Sequence, residues 1–330
     1  MGYCCYTFCP YTNRSADVDF HSGRMTIQKL VESLSRSKIA HCAERLAELA
    51  RPTIFVKIQE EGSPVKTFSA FGGDPEMPPD LEWPSDDSGQ VLSFLAQFEM
   101  SEIHAFDQQN LMPLDGRLWF FYECNEQPWG FDPKHKSGWR VIYHQTANDC
   151  VVRIPPRRNT ESLVKQGFME SLKSLARVNR EPPGPMRLSC NRIKFEYSVS
   201  MPFYDSASID ALGLTKEEVD HYTDWWLNYT DDDVIAQILG YPRPIQNVDM
   251  ETDCQLVSNG IYIGDLAGRQ SPQARELLAH PNDWLLLLQI DSSEKLDIMW
   301  GDAGTLYFWI REKDLRKAEF GNVWTILQCF

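Results

Sequence analysis

The sequence predicts a β-dominated α+β fold: two similar antiparallel-sheet halves related by internal duplication, with flanking helices. Three observations predict it. Short apolar runs of strand length recur between turn residues, helical periodicity is confined to a few segments, and three strand-like blocks reappear in the same order in the second half of the chain.

Composition sets the outer bounds. The 330 residues are 42% hydrophobic and 12% aromatic, enough for a large core in one β-rich domain or two smaller ones. The net charge is −15. The cluster of Arg153, Arg157 and Arg158 is flanked by Asp149 and Glu161, so no segregated basic patch offsets that charge. Nucleic acid and anionic membrane surfaces are therefore disfavoured as partners, and a basic protein is favoured. The longest aliphatic stretch, Trp284 to Ile290, is of strand length and far too short to span a bilayer. Residues 1–24 lack the basic and apolar regions of a secretory signal, and Tyr6 stands where myristoylation needs Ser or Thr; they read as a disordered leader or appendage. Nine cysteines without regular spacing argue for a reducing cytoplasm rather than a disulfide framework. Cys4, Cys5 and Cys9 have no downstream pair at ligand spacing, so no metal site is expected.

The elements follow in order. Residues 25–51 form a helical region: Ile27, Leu30, Val31 and Leu34 share one stripe, Ile39, Cys42, Ala43 and Leu46 restart it, and Pro52 ends it. Ile54, Val56 and Ile58 alternate in a strand over 53–58. Phe71 to Pro84 carries two Gly and four Pro and predicts a rigid irregular loop. Strands are expected at 92–98, 118–122 and 139–143, with Asp115-Gly116 as a hairpin turn and 129–138 as a loop. A helix is expected around 161–177, a linker at 180–185 and a strand at 193–199. Thr215-Lys-Glu-Glu218 is a capping box that opens a helix. Gly240 to Pro244 breaks the chain, Pro272 to Leu278 is helical, and strands at 284–290, 305–310 and 323–328 close the sequence.

The repeat lies in these strands. Phe94 to Glu99 (FLAQFE) resembles Leu286 to Asp291 (LLLQID), with Gln97 matching Gln289. GRLWFFY from Gly116 resembles GTLYFWI from Gly304, and WRVIY from Trp139 resembles WTILQ from Trp324. The offsets, 192, 188 and 185 residues, drift little. A weaker match sets FGGDP (71–75) beside LGYPRP (239–244). The halves are drawn at about 52–185 and 186–330, each exposing an apolar face for the other to cover.

These blocks, together with WGFDPKHKSGWRVIY, LGYPRPIQNVDM and MWGDAGTLYFWI, resemble the YwqG-like family, a bacterial family of uncharacterised function, over about residues 52–330. The resemblance implies the twofold-repeated β-rich architecture and no reaction. It implies that a His often precedes the Gln of the QxLGYP segment; here that place is Ala236. It also implies, more weakly, a protein-binding antidote, since such domains occur near toxin–immunity loci.

No catalytic or cofactor motif is present: there is no HExxH, GxSxG, P-loop or GxGxxG. The polar residues worth following are Trp300 with Asp302 and Trp129 with Asp132, two Trp-Gly-x-Asp or similar loops that read either as an aromatic-plus-carboxylate platform lining one cleft or as plain turn chemistry. Gln97 with Glu99 and Gln289 with Asp291 read either as a buried polar network stitching the halves together or as an acid–base pair facing a shared site. The favoured function is a non-catalytic binding module for a basic protein partner, immunity-like against a basic toxin. The alternative is an enzyme or carrier for a small polar ligand, such as a sugar, bound between the halves.

Overall fold

Antiparallel pairing organises the chain. The computed structural model describes residues 25–60, 62–63, 67–145, 149–156, 184–229, 233–279 and 282–330; the leader at 1–24 and the helix expected around 161–177 lie outside them. The strands are β1 (Arg51–Ile58), β2 (Ala70–Phe71), β3 (Glu76–Met77), β4 (Ser93–Glu99), β5 (Arg117–Tyr122), β6 (Trp139–His144), β7 (Val151–Val152), β8 (Asn191–Ser200), β9 (Val234–Ile238), β10 (Trp284–Asp291), β11 (Thr305–Arg311) and β12 (Trp324–Gln328). The helices are α1 (Ile27–Ser35), α2 (Ala43–Ala47), α3 (Met100–His104), α4 (Ala207–Asp210), α5 (Lys216–Leu227), α6 (Met250–Val257), α7 (Leu266–Arg269), α8 (Pro272–Leu278) and α9 (Glu312–Arg316).

Ten strands form one sheet in the order β12-β11-β10-β9-β1-β8-β2-β4-β5-β6, and β3 pairs with β7 separately. Every pairing is antiparallel. The blocks matched in sequence occupy mirrored places: β10, β11 and β12 run outward on one flank, β4, β5 and β6 on the other. Both flanks shift register at the matched position, between Phe94 and Ala96 opposite β5 and between Leu286 and Leu288 opposite β11.

The two ends of the sheet meet, so that it nearly closes. The rings of Trp139 on β6 and Trp324 on β12 lie edge to face at 5.0 Å. Trp139 Nε1 donates to Val323 O at 3.0 Å, and Trp324 Nε1 donates to Gly130 O at 2.9 Å. The Lys136 ammonium donates to Gly321 O and Val323 O and sits 5.4 and 5.8 Å from the two Trp ring centres. Burial, helped by repulsion from Arg140, pushes that ammonium down to about 8.

Closure makes one core from both flanks: Phe120 and Phe308, matched residues, meet edge to face at 5.3 Å, and Phe98 lies tilted on Phe120 at 5.2 Å. A second cluster joins Leu30, Leu34 and Leu46 of the N-terminal helices to Tyr222, Trp225 and Trp226 of α5. A third lies under the Pro-rich loop, where Met77 and Trp83 cover Phe94, Trp119 and Phe121. Thr215 and Glu218 make both hydrogen bonds of the expected capping box.

Some expectations need correction. Asp115-Gly116 is not a two-residue hairpin: the connection from β4 to β5 spans residues 100–116 and contains α3, and Gly116, at φ +84°, only turns the chain into β5. β9 and α6 have no counterpart in the sequence reading. Val234–Ile238 is five residues with no apolar–polar alternation, because both its faces are covered. Among the described residues no helix is long and apolar enough to cross a membrane.

Gly130 sits at the closure with φ +82°, and a Cβ there would fall 1.8 Å from Thr325 O. Gly130→Ala is expected to destabilise the fold by about 2–4 kcal/mol in urea unfolding. Gly321→Ala, where a Cβ meets open space, should leave stability unchanged or raise it by about 0.5 kcal/mol.

Candidate functional site

Each flank carries one polar network built on its buried Gln. Gln97 Oε1 accepts from Glu76 N at 2.9 Å while its Nε2 donates to Phe68 O at 2.7 Å. Gln289 Oε1 accepts from Arg243 N at 2.9 Å while its Nε2 donates to Asp291 at 3.0 Å. The carbonyls of Glu76 and Arg243 in turn accept from Trp119 Nε1 and Tyr307 Oη, which are matched residues of β5 and β11. Glu99 is held by Arg117 at 3.1 Å, and Asp291 accepts from Thr305 Oγ1 at 2.9 Å. The turns so anchored carry the same backbone: Gly72 and Gly73 at φ +62° and +76°, Leu239 and Gly240 at +59° and +76°.

This geometry corrects two expectations. The partners of Gln97 and Gln289 all lie in their own flank, so these residues do not stitch the halves together. Glu99 and Asp291 are each held by neighbours, on strands separated by β9, β1, β8 and β2, and do not face each other along the sheet. Gln289 and Asp291 do border a narrow cleft under α5, where the Arg243 guanidinium lies 5.4 Å from the Trp226 ring.

The two tryptophan loops adjoin. Gln127 donates to Met299 O and accepts from Gly301 N. Trp129 is 38% exposed, but Trp300 is 1% exposed and packs edge to face on Tyr122 at 5.6 Å, so it is no surface platform. Its place in the core follows from closure, which puts the 300 turn over the end of β5. Asp132 caps its own turn by accepting from Lys134 N at 2.9 Å. Asp302 is exposed, and its backbone carbonyl accepts from Phe330 N at 3.0 Å.

A roomy cavity lies elsewhere, where the segment after α3 faces β9, α6, β10 and α9. It holds about 1200 Å³ of empty space, its open mouth included. Its charged wall is Arg51, Glu251, Asp283, Glu312 and Arg316. Three of these are neutralised locally: Asp283 pairs with Arg311 at 2.8 Å, and Glu312 with Arg316 at 2.7 Å. Arg51 and Glu251 are left over. The Arg51 guanidinium stacks 4.1 Å from the centre of the Tyr241 ring and has no ion-pair partner among the described residues. Glu251, in the first turn of α6, is hydrogen-bonded, among the described residues, by its own backbone amide alone. Burial pushes its carboxyl up to about 7; Asp249 and Asp253 add to the rise, and Arg51 opposes it.

A family model described as a domain of unknown function, DUF1963, matches residues 69–329. The chain belongs to the DUF1963 family. YwqG-like proteins fall within it, so the resemblance read in the sequence is upheld. No curated protein matches the chain. The matched DUF1963 segment supplies the cavity's walls except Arg51, which comes from β1, N-terminal to the match yet central in the sheet between β9 and β8. None of the eight residues singled out in the sequence lines this cavity. Arg51 and Glu251 stand in no motif; the one signal near them is the LGYPRP block, whose Leu239 and Gly240 form the cavity floor.

Glu251 makes stability depend on pH. Its folded value of about 7 lies above the ordinary 4.5, so the neutral carboxyl is favoured by folding. That contribution is fully present below about 4.5, is lost as pH rises to about 7, and changes no further above; its full size is up to about 3 kcal/mol. Glu251→Gln is therefore expected to be more stable than the parent by about 1–3 kcal/mol at pH 8, with the difference shrinking towards pH 5, in urea unfolding at the two pH values.

Proposed function

We propose that this DUF1963 protein is a non-catalytic binding module for a small polar ligand with an anionic group, held in the cavity by Arg51 and Glu251. The observation that supports it is that, among the described residues, these two are the charged groups of the wall that form no ion pair within the protein. Glu251 is partly buried on the cavity wall without a countercharge bonded to it, and such perturbed groups concentrate at functional sites. Arg51 presents the planar fork that suits a carboxylate or phosphate, with Tyr241 fixing its plane. Glu251, neutral below pH 7, is a hydrogen-bond donor to the same anion; ionised, it would repel it.

A second reading concerns a protein partner. Trp129, Met299 and Phe330 are 38%, 59% and 53% exposed on adjoining segments, with Asp132 and Asp302 nearby. An apolar surface with an acidic rim on a chain of net charge −15 suits a basic protein, the immunity-like role. We further propose that the halves, about 52–185 and 186–330, descend from an internal duplication. The mirrored strand order, the paired register shifts and the two parallel Gln networks support it. The irregularly spaced cysteines support a reducing compartment.

Isothermal titration with di- and tricarboxylates and phosphate monoesters tests the ligand reading. At least one is expected to bind, at least tenfold more weakly to Arg51→Ala, and more weakly to the parent as pH rises through 7. Binding that is indifferent to Arg51, or no binding by any member, would contradict it. Capture of a basic protein that slows as salt rises would favour the second reading instead.

A further inference from the structure

Away from this cavity, the N-terminal helices and α5 bring together three donors of different chemistry. His41 and Cys42 lie on the short 3-10 turn Ala40–Cys42, and Glu218 lies in the first turn of α5, 176 residues from Cys42. His41 Nε2 is 2.6 Å from Glu218 Oε1, and Cys42 Sγ is 3.7 Å from the same oxygen. One ligand atom from each residue lies within 4.8 Å of the other two. In a tetrahedral zinc site with bonds of about 2.0–2.3 Å, ligand atoms stand roughly 3.3–3.6 Å apart, so small rotations suffice to close the set on one ion.

The carboxylate is aimed in advance. Glu218 Oε2 is occupied by the capping box, accepting from Thr215 N at 2.6 Å and Thr215 Oγ1 at 2.8 Å. That holds the group in one orientation and leaves Oε1 directed at His41 and Cys42, as an outer shell does for a metal ligand. The nearby Arg45 guanidinium is turned to Leu212 O at 2.6 Å. Cys42 is buried, whereas the His41 side chain is 63% exposed, so an ion has a protein wall on one side and water for its fourth position on the other.

We infer that His41, Cys42 and Glu218 form a three-ligand site for a borderline-soft divalent cation, zinc above all, that ties the N-terminal helical region to α5. The donor set of imidazole, thiolate and carboxylate excludes calcium and magnesium, which take oxygen ligands. Binding adds a bridge between two elements that already meet through the apolar contacts of the second cluster and the hydrogen bond from Trp225 Nε1 to Ser33 Oγ, so it is expected to raise the unfolding temperature.

The test uses the full chain stripped with a chelator and titrated with zinc sulfate against a chromophoric competitor, with cobalt(II) as a spectroscopic probe. One equivalent of zinc is expected to bind. His41→Gln and Glu218→Gln should each weaken it at least tenfold, and cobalt should give a thiolate charge-transfer band that Cys42→Ser removes. His41→Gln, at an exposed position, preserves the fold if Cys42→Ser does not, and circular dichroism checks both. Zinc bound equally by parent and all three variants, as Cys4, Cys5 and Cys9 would bind it, would overturn the assignment. So would an absence of zinc binding by the parent.

Discussion

The meeting of Trp139 and Trp324 is the contact on which the rest of the structure depends. A ten-stranded antiparallel sheet left open would expose β6 and β12 as unpaired edges and leave its inner face in water. Bringing the two ends together converts that face into a core shared by both flanks, in which Phe98, Phe120 and Phe308 touch. The contact also needs an unusual element. Gly130 lets the 129–138 loop lie against β12, where Leu327 N donates to Trp129 O, and Lys136 then caps the two indoles from one side. Truncating a buried Trp typically costs about 3–5 kcal/mol, a large share of the stability of any single domain.

The polar interior follows from the same arrangement. Chain turns that lie against the sheet cannot reach water, so their amides and carbonyls need partners. Gln97 and Gln289 supply them, one per flank, and Trp119 and Tyr307 complete the set. Fixing the turn at Leu239 and Gly240 has a consequence for the cavity, because the same residues are its floor and the next, Tyr241, is the surface on which Arg51 stacks. The cation's position is thus set by the backbone that Gln289 and Tyr307 anchor at Arg243.

Much of the fold was legible from sequence. The strands at 53–58, 92–98, 139–143, 193–199 and 284–290 carry enough β-branched, aliphatic and aromatic residues between turn signals to announce themselves, and Thr215 with Glu218 marks a helix start by chemistry alone. The helix at Pro272–Leu278 was legible because Pro at its first position is tolerated there and nowhere further in. The site was not legible. Arg51 lies before Pro52 in what reads as a strand boundary, and Glu251 is an ordinary acid in an acidic segment. What distinguishes them is that neither forms an ion pair among the described residues, which is a property of space. Trp300 misled for a related reason: a Trp beside Gly and Asp looks like a surface turn, and only closure of the sheet buries it. The trio of His41, Cys42 and Glu218 is joined across a separation that no local spacing rule can bridge.

If closure holds both flanks in one core, neither can open alone. Native-state hydrogen exchange followed by mass spectrometry reads this directly, through amides of β4 to β6 on one flank and β10 to β12 on the other. One shared opening free energy for the innermost amides of both flanks, equal to that of global unfolding, is the predicted result. Exchange of one flank through a separate opening at markedly lower free energy, while the other stays protected, would contradict it.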